Sequence, residues 1–486
     1  MTIDKMLISS SPGERRIALV ERTRLVELVT ARPDLQSFVG NIYLGRVERV
    51  VPGIQAAFVA IGHERSGFLA VAEARPHGDN SGGDIGDYLG EGDAVLVQAQ
   101  RDPFEGKGAK LTAHITLPGR FLVYTPDHDD IKLSRRIDNE EDRARLRGLI
   151  KERAGDGGGF IVRTSAVKAA DREVVGDIDY LRAVWREIEQ ARAGARPPVR
   201  LYRDLDPALQ VLRDEGTPEI RRIVTDDPQV LAEIREFCGK AAPDMVSRIE
   251  LHDGSGDMFE DHGIEEQIER ALAPSVNLAS GGDIIISETA ALCAIDVNIG
   301  AGAEKGAFED AALAVNLEAA DEIARQIRLR NLSGLIIIDF VAMKRRESGA
   351  MVLDRLRKAT ATDSCPVYVV GFTNLGLVEM TRPRRRDSLS HSLGGRCPSC
   401  AGAGYVKSPL TVAHEALRAA GREAMAHPGA GLEVRAAAEV IETLNGRAKS
   451  ARKEAEDRLG RPLRLVIDAA LAPDRFVIAP RSNKNG

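Results

Sequence analysis

The chain of 486 residues contains no apolar run approaching the roughly 18 residues that a membrane-spanning helix needs, so a helical membrane protein is excluded. Its opening, MTIDKMLISSSPGERR, lacks the apolar centre of a secretory signal. Cysteine is scarce, with five residues and therefore an odd count, so no disulfide framework is expected. Together these absences place the protein in the cytoplasm, with no membrane span. No internal repeat and no low-complexity tract is present, which removes repeat and fibrous architectures. An excess of positive charge is missing as well: the net charge is −6, which argues against a uniformly basic nucleic-acid binder.

What is present is a globular composition, 43% hydrophobic and 29% charged. The length implies about two to four compact domains. Basic residues gather at Arg325, Arg328 and Arg330, at Lys344, Arg345 and Arg346, and at Arg382 with Arg384 to Arg386. Each cluster reads as a phosphate contact or, equally well, as a solvated face or helix end.

Along the chain, Arg16-Ile-Ala-Leu-Val and Arg24-Leu-Val-Glu-Leu predict a short hairpin that starts a domain and is then interrupted. From Asn41 to about Thr116, short strands punctuated by Gly and Pro predict a small barrel of the OB type. Phe58 and Phe68 fall in two of these strands, where they serve either as a base-stacking platform or as barrel core. In the loop 101–110, Lys107 and Lys110 are candidate phosphate contacts, or simply solvated lysines. A second module, from Leu117 to Ala195, combines the strand FLVYTP, a helix Asn139 to Arg153, a Gly-rich turn at 155–159, a strand from Phe160 and a helix Leu181 to Arg192. Residues 193–201 have linker composition. A strand Glu219 to Thr225 and a helix Pro228 to Cys238 follow.

The chemistry is densest between Gly281 and Phe340. GGDIIISETAALCAIDVNIG predicts a hairpin with strands 283–288 and 292–298. A period of two puts Leu292, Ala294, Asp296 and Asn298 on one face and Cys293, Ile295 and Val297 on the other. Glu309 to Arg330 predicts a helix with an apolar stripe of Leu313, Leu317, Ala320, Ala324 and Ile327. Leu335-Ile-Ile-Ile-Asp-Phe predicts a strand buried on both faces. A buried carboxylate at Asp339 must be paired, protonated or metal-bound. Hairpin, helix and strand can bring Asp296 and Asp339 together at the edge of one sheet. Two carboxylates with a neighbouring amide suit Mg²⁺, which keeps several waters. Either aspartate taken alone also reads as a structural residue at a strand end.

AIDVN, NLEAADEIARQIRLRNLSGLIIIDF and CPSCAGAG, in this order, closely resemble the catalytic region of the bacterial ribonuclease E/G family. The resemblance runs more loosely through NIYLGRVERVVPGIQAAFVAIGHERSGFLAV and GGFIVRT to cover nearly the whole chain, in the shorter, G-type form without a long C-terminal scaffold tail. It implies a multi-domain α/β protein: an RNase H-like domain (1–38 and 201–273) interrupted by an OB-fold RNA-binding domain (39–116) and a 5′ sensor (117–200). A DNase I-like catalytic domain (274–393), a zinc link (394–405) and a small C-terminal domain (406–486) then follow. By the resemblance, Asp296 and Asp339 are the Mg²⁺ carboxylates and Asn298 their supporting amide. Phe58, Phe68 and Lys107 contact RNA, and Gly119, Val123, Arg163 and Thr164 form the 5′-phosphate pocket. The chain departs from the family at Ile299-Gly300, where Ser-Gly is usual, and at Val341-Ala342-Met343, where Ile-Asp-Met is usual. The family's further 5′-sensing arginine has no counterpart at Ser364-Cys365-Pro366.

Cys397-Pro-Ser-Cys400 supplies two of the four ligands of a structural zinc site, or else a redox pair. No second CxxC exists, and a symmetric pairing of two chains completes the site, as the resemblance also implies. The expectation is a homodimer sharing Zn²⁺, with a dimer of dimers left open. The expected function is Mg²⁺-dependent endonucleolytic cleavage of single-stranded RNA to 5′-phosphate and 3′-hydroxyl ends, in rRNA maturation and mRNA decay. A non-catalytic RNA-binding or scaffolding protein of the same fold is the alternative, and a phosphodiesterase acting on DNA or small nucleotides is a third reading.

Overall fold

The computed structural model describes residues 3–32, 37–78, 82–103, 107–154, 157–254, 256–300, 308–384 and 386–481. Residues 1–392 and 393–486 form two separate compact units.

The first unit opens with an antiparallel meander, β1 (Lys5–Ser11), β2 (Glu14–Glu21) and β3 (Arg24–Ala31). The expected hairpin is β2 and β3; β1 was not anticipated, although its Met6, Leu7 and Ile8 are fully buried. The chain then leaves this sheet for a barrel. Strands β4 (Ile42–Val51), β5 (Ala56–Ala60), β6 (Gly67–Ala70), β7 (Ala94–Arg101) and β8 (Lys110–Thr112) pair in the order β4-β5-β6-β8-β7, and β7 pairs back to β4, closing the ring. Two single-turn helices, α1 (Val71–Ala74) and α2 (Ile85–Tyr88), sit between β6 and β7. Tyr43, Val47, Val59, Leu69, Val97 and Leu111 fill the interior. A Cβ on Gly45 would run into the Val59 side chain, so the strands at this corner approach closely only because residue 45 has none.

The next layer is a sheet of β9 (Leu117–Pro118), β10 (Leu122–Thr125), β11 (Ile131–Leu133) and β12 (Gly159–Val162), in the order β11-β12-β10-β9. It shares a core with α3 (Glu140–Ala154) and α4 (Asp171–Ala193). α4 begins ten residues earlier than its charge-rich sequence suggested, because Val174 and Ile178 extend its buried face. Of the Gly-rich turn, 155 and 156 lie outside the described residues, as do 104–106 of the loop 101–110. Residues 193–201 are only in part a linker. Val199–Tyr202 forms β13, which adds to the barrel by pairing with β4, with Leu201 and Tyr202 packed on the neighbouring core.

The chain then returns to its beginning. After α5 (Pro207–Glu215), β14 (Arg222–Thr225) pairs in parallel with β1, Lys5 opposite Arg222, and β15 (Ile249–Leu251) follows α6 (Pro228–Ala241). Residues separated by about two hundred positions thus complete one five-stranded sheet, β15-β14-β1-β2-β3. Asp206 and Asp227 cap α5 and α6, each followed by Pro at the first helical position. Two short helices, α7 (Met258–Asp261) and α8 (Ile264–Leu272), lead onward.

The last sheet of this unit contains β16 (Ser275–Asn277), β17 (Asp283–Glu288), β18 (Leu292–Asn298), β19 (Gly334–Asp339), β20 (Tyr368–Phe372) and β21 (Val378–Arg382), in the order β16-β17-β18-β19-β21-β20. Helices α9 (Phe308–Leu329) and α10 (Arg346–Thr360) cover one face. The predicted hairpin strands match β17 and β18. β19, however, is buried on one face only: Ile336 and Ile338 face the helices, while Leu335 is 41% exposed and Asp339 is exposed. An isoleucine run does not distinguish a strand covered twice from one covered once. The buried side of α9 includes Ala320, Ala324 and Ile327 of the predicted stripe and differs in the rest. Val315, Ala319, Ile323 and Ile327 enter the core, and Leu313 and Leu317 are only partly buried.

The reason is that α9 also packs on β3. Its polar side is consequently buried too, and is satisfied by ion pairs. Arg328, 2% exposed, donates to Glu27 at 2.8 Å and to Glu215 at 2.7 Å. Burial works to raise the Glu27 carboxyl, but Arg328 and Arg386 outweigh it and hold Glu27 below the usual carboxylate range. Arg325 binds Glu322 and the Leu25 carbonyl, and Arg330 donates to Gln326 and to the Ala273 carbonyl. The cluster Arg325, Arg328, Arg330 is therefore structural.

In the second unit, after α11 (Leu389–Leu393) at the boundary, α12 (Pro409–Ala426), α13 (Ala438–Asn445) and α14 (Lys449–Leu459) accompany a sheet β23-β22-β24, with β22 at Gly431–Ala436, β23 at Leu463–Ile467 and β24 at Phe476–Arg481.

Removing a buried charge strands its partners. Arg328→Ala is expected to lower unfolding free energy by about 3–5 kcal/mol in urea titration. Neutralising the whole group, with Arg328→Met, Glu27→Gln and Glu215→Gln, is expected to recover most of that loss.

Candidate active site and metal centre

β18 and β19 run in parallel because the chain crosses between them through α9. Their register sets Leu292 opposite Leu335 and, four residues on, Asp296 opposite Asp339. Side chains directly opposed across a ladder sit about 5 Å apart. Both aspartates are exposed, on the face that the helices leave open and near the C-terminal ends of the two strands. The carboxylates therefore meet on the two central strands rather than at an edge of the sheet, and Asp339 is not the buried group expected from its apolar run. Like charges so placed repel. Among the described residues neither carboxylate has an ion-pair partner.

Asn298, next but one along the same face, donates from Nδ2 to Asp296 Oδ2 at 3.0 Å, which orients that carboxylate. Ile285, Ser287, Ala294, Ile337 and Leu377 complete an open depression of about 370 Å³ around the pair. Two hard carboxylate oxygen donors, an amide holding one of them and access to solvent suit Mg²⁺, which retains several waters. No group of three or more His, Cys, Asp or Glu able to hold a metal occurs among the described residues, so a Zn²⁺ site closed by side chains of one chain does not fit here.

The exit of β19 is fixed by residues that sequence reasoning missed. Asn316 on α9, fully buried, donates to the Val341 carbonyl at 2.8 Å and accepts from the Val341 amide at 3.0 Å. Glu309, in the first turn of α9, accepts from the amides of Lys344 and Arg345 at 2.9 and 3.0 Å. These bonds hold Glu309 below the usual carboxylate range. A lone asparagine within an otherwise apolar helix face was the available signal.

On the barrel, Phe58 and Phe68 are cross-strand partners on the outer surface, half-buried, with ring centroids 6.0 Å apart in an edge-to-face arrangement. Neither is barrel core. Arg49 lies over the Phe58 ring at 4.9 Å, and Lys110 is the register partner of Phe68. Lys107 is exposed.

Gly119, Val123, Arg163 and Thr164 lie around β9, β10 and the end of β12. Arg163 and Thr164 follow the strand rather than belonging to it; Thr164 opens a short 3-10 turn and its hydroxyl is 3.2 Å from Ser134. Arg163 donates to the Gly119 carbonyl at 2.7 Å and to Asp214 at 2.8 Å. Despite burial, Arg213 and Arg163 together hold Asp214 below the usual carboxylate range. Where a further arginine was sought, Ser364 faces Glu215 and Cys365 is buried. On α10, which precedes that segment, Arg357 donates to the Val370 carbonyl at 3.2 Å and Lys358 pairs with Asp354 at 2.7 Å.

Cys397 is exposed and Cys400 partly so, whereas Cys238, Cys293 and Cys365 are buried. Backbone N–H groups of Cys400 and Ser399 hold the Cys397 thiol below its usual range. Burial, in contrast, pushes the Cys238 and Cys293 thiols up to about 12.

Comparison with known proteins gives a consistent picture. A model of the ribonuclease E/G family matches residues 116–385, and a model of the RNase E/G thioredoxin-like domain matches residues 396–481. The chain is 37% identical over 481 residues to ribonuclease G of Escherichia coli K12, covering 97% of this chain and 98% of that protein. It is 39% identical over 425 residues to ribonuclease G of Haemophilus influenzae, covering 85% and 86%. To ribonuclease E of Haemophilus influenzae it is 36% identical over 429 residues, covering 87% of this chain and 46% of that protein.

Proposed function

Because this chain belongs to the ribonuclease E/G family, we propose that it is an endoribonuclease cleaving single-stranded RNA at Mg²⁺ held by Asp296 and Asp339. The observation that carries the reading is the direct register of those two carboxylates on an open sheet face, with no counter-charge among the described residues. When bound, Mg²⁺ activates water and neutralises charge on the phosphate, in support of in-line attack that leaves 5′-phosphate and 3′-hydroxyl ends. Asn298 holds Asp296 in one orientation, and Asn316 holds the backbone beyond Asp339, so both donors are positioned before RNA arrives. The carboxylate face stays open to solvent, which admits an extended strand.

The remaining parts are assigned in the same reading. The closed barrel is the OB-fold RNA-binding domain, on which Phe58 and Phe68 stack bases and Lys107 meets phosphate. The five-stranded sheet built from both ends is the RNase H-like domain, the β9–β12 layer is the 5′ sensor, and the β16–β21 sheet with its helices is the DNase I-like catalytic domain. Cys397 and Cys400 supply half of a Zn²⁺ site, completed by the same pair from a second copy, because the three other cysteines are buried. The protein acts in the cytoplasm, on rRNA precursors and mRNA.

Incubation with single-stranded RNA and DNA oligonucleotides, with and without Mg²⁺, tests the activity. Cleavage of RNA only, and only with Mg²⁺, is expected. Asp296→Asn and Asp339→Asn should each reduce turnover by about 10³-fold or more while RNA affinity stays within a few-fold. Near-normal turnover by either variant would sink the assignment.

Cys397→Ser or Cys400→Ser should release zinc and shift the protein toward monomer in sedimentation, from about one zinc per two chains in the wild type. One zinc per chain rules out the shared link.

The 5′ pocket should discriminate weakly. Its one guanidinium, Arg163, is already neutralised by Asp214, and no second arginine stands at 364–366. Losing a charged hydrogen bond of about 1.5–3 kcal/mol reduces a preference for 5′-monophosphate over 5′-hydroxyl RNA by roughly 10- to 100-fold. A strong wild-type preference that Arg163→Ala abolishes would show an intact sensor.

A further inference from the structure

The sequence offers three basic clusters, and among the described residues the fold neutralises the one at 325–330 and part of the one at 382–386. Arg325, Arg328 and Arg330 are consumed by Glu322, Glu27, Glu215, Gln326 and backbone carbonyls. Arg382 is buried against Asp363 at 2.9 Å, Arg384 bonds Ser333 and Arg386 pairs with Glu27 at 2.7 Å. Arg385 lies outside the described residues. The cluster 344–346 differs: all three side chains are exposed. Arg345 pairs with Asp310 at 3.2 Å, but among the described residues no carboxylate lies within ion-pair distance of Lys344 or Arg346.

Their position is set by two clamps. Asn316 grips the backbone of Val341, two residues beyond Asp339, and Glu309 caps the amides of Lys344 and Arg345. Glu309 belongs to the first turn of α9, the element that the chain enters after leaving β18. The loop 340–345 is therefore tied to the same end of the sheet at which Asp296 and Asp339 stand. Lys344 lies five positions after Asp339, so their Cα atoms are at most about 18 Å apart. Glu309 directs its carboxylate oxygens to backbone amides and to Ser348, so among the described residues it does not neutralise Lys344 or Arg346.

We infer that Lys344 and Arg346 form a phosphate clamp that holds the RNA strand where it passes over the rim of the carboxylate face. This rests on the endoribonuclease reading above. It answers the charge problem of the site: two aspartates on a protein of net charge −6 repel a polyanion, and two cations on the segment that leaves β19 supply local attraction. Neither side chain touches the reacting atoms, so both are positioning residues. They act on binding of the strand rather than on the chemical step.

The test compares wild type, Lys344→Ala, Arg346→Ala, the double variant and Arg345→Ala. KM and kcat are measured on a 5′-hydroxyl single-stranded RNA with Mg²⁺, and affinity is measured as a function of salt without added Mg²⁺. Each phosphate contact on a single strand contributes about 0.7 to the slope of log K against log salt, so the double variant should lower that slope by roughly 1 to 1.5. KM should rise about five- to twentyfold at low salt, with kcat within about twofold of wild type. Arg345→Ala, already neutralised by Asp310, should leave the slope unchanged. All three residues are exposed, so folding is expected to survive, with an unchanged melting temperature as the check. A folded double variant with wild-type slope and KM overturns the clamp alone. Failure of the wild type to cleave RNA overturns the endoribonuclease reading and the clamp together.

Discussion

Two negative charges held side by side are the constraint around which this protein is organised. A parallel ladder sets Asp296 directly against Asp339, and the sheet face that carries them has no cation of its own among the described residues. Such an arrangement costs stability in the free protein and persists only because the strands are held by interactions elsewhere. The ladder is parallel because α9 carries the chain back across the sheet. Its apolar residues Val315, Ala319, Ile323 and Ile327 seal the opposite face. Repulsion of this kind is what a cation between the two carboxylates would relieve.

The position of α9 is in turn set from outside its own sheet. Arg328 reaches from α9 to Glu27 on β3 and to Glu215 at the end of α5, so the N-terminal sheet and the carboxylate-bearing sheet share one buried charge group. Buried ion pairs are weak sources of net stability, but breaking one is costly, and this gives them a role in fixing a single arrangement. Here the arrangement being fixed includes the loop beyond Asp339, through Asn316 and Glu309 on the same helix. A disturbance at β3 can therefore reach the site without touching it.

Charge is distributed in the same spirit. The chain is acidic overall, yet three exposed cations stand near the features assigned to RNA: Arg49 over Phe58 on the barrel, and Lys344 and Arg346 beyond the end of β19. Five arginines among the described residues, Arg120, Arg213, Arg328, Arg330 and Arg382, are buried instead. A formal net charge of −6 thus says little about where a polyanion is attracted.

The strands of the catalytic hairpin, the face shared by Asp296 and Asn298 and the helix that follows were legible from the sequence, because a period of two or of 3.6 is a local property of the chain. The motifs that resemble the ribonuclease E/G family were legible for a different reason: they are contiguous. Burial on one face of β19 rather than two was not legible, since covering a strand depends on what the rest of the chain places above it. The same holds for the buried arginines of α9, whose partners Glu27 and Glu215 lie roughly a hundred to three hundred positions away. The neutralisation of Arg163 by Asp214, and the distinction between consumed and free basic clusters, also belong to tertiary structure. Sequence determined which side chains are candidates for the chemistry. Only the folded chain decided which of them face each other, because opposing charges choose partners by distance in space and not along the chain.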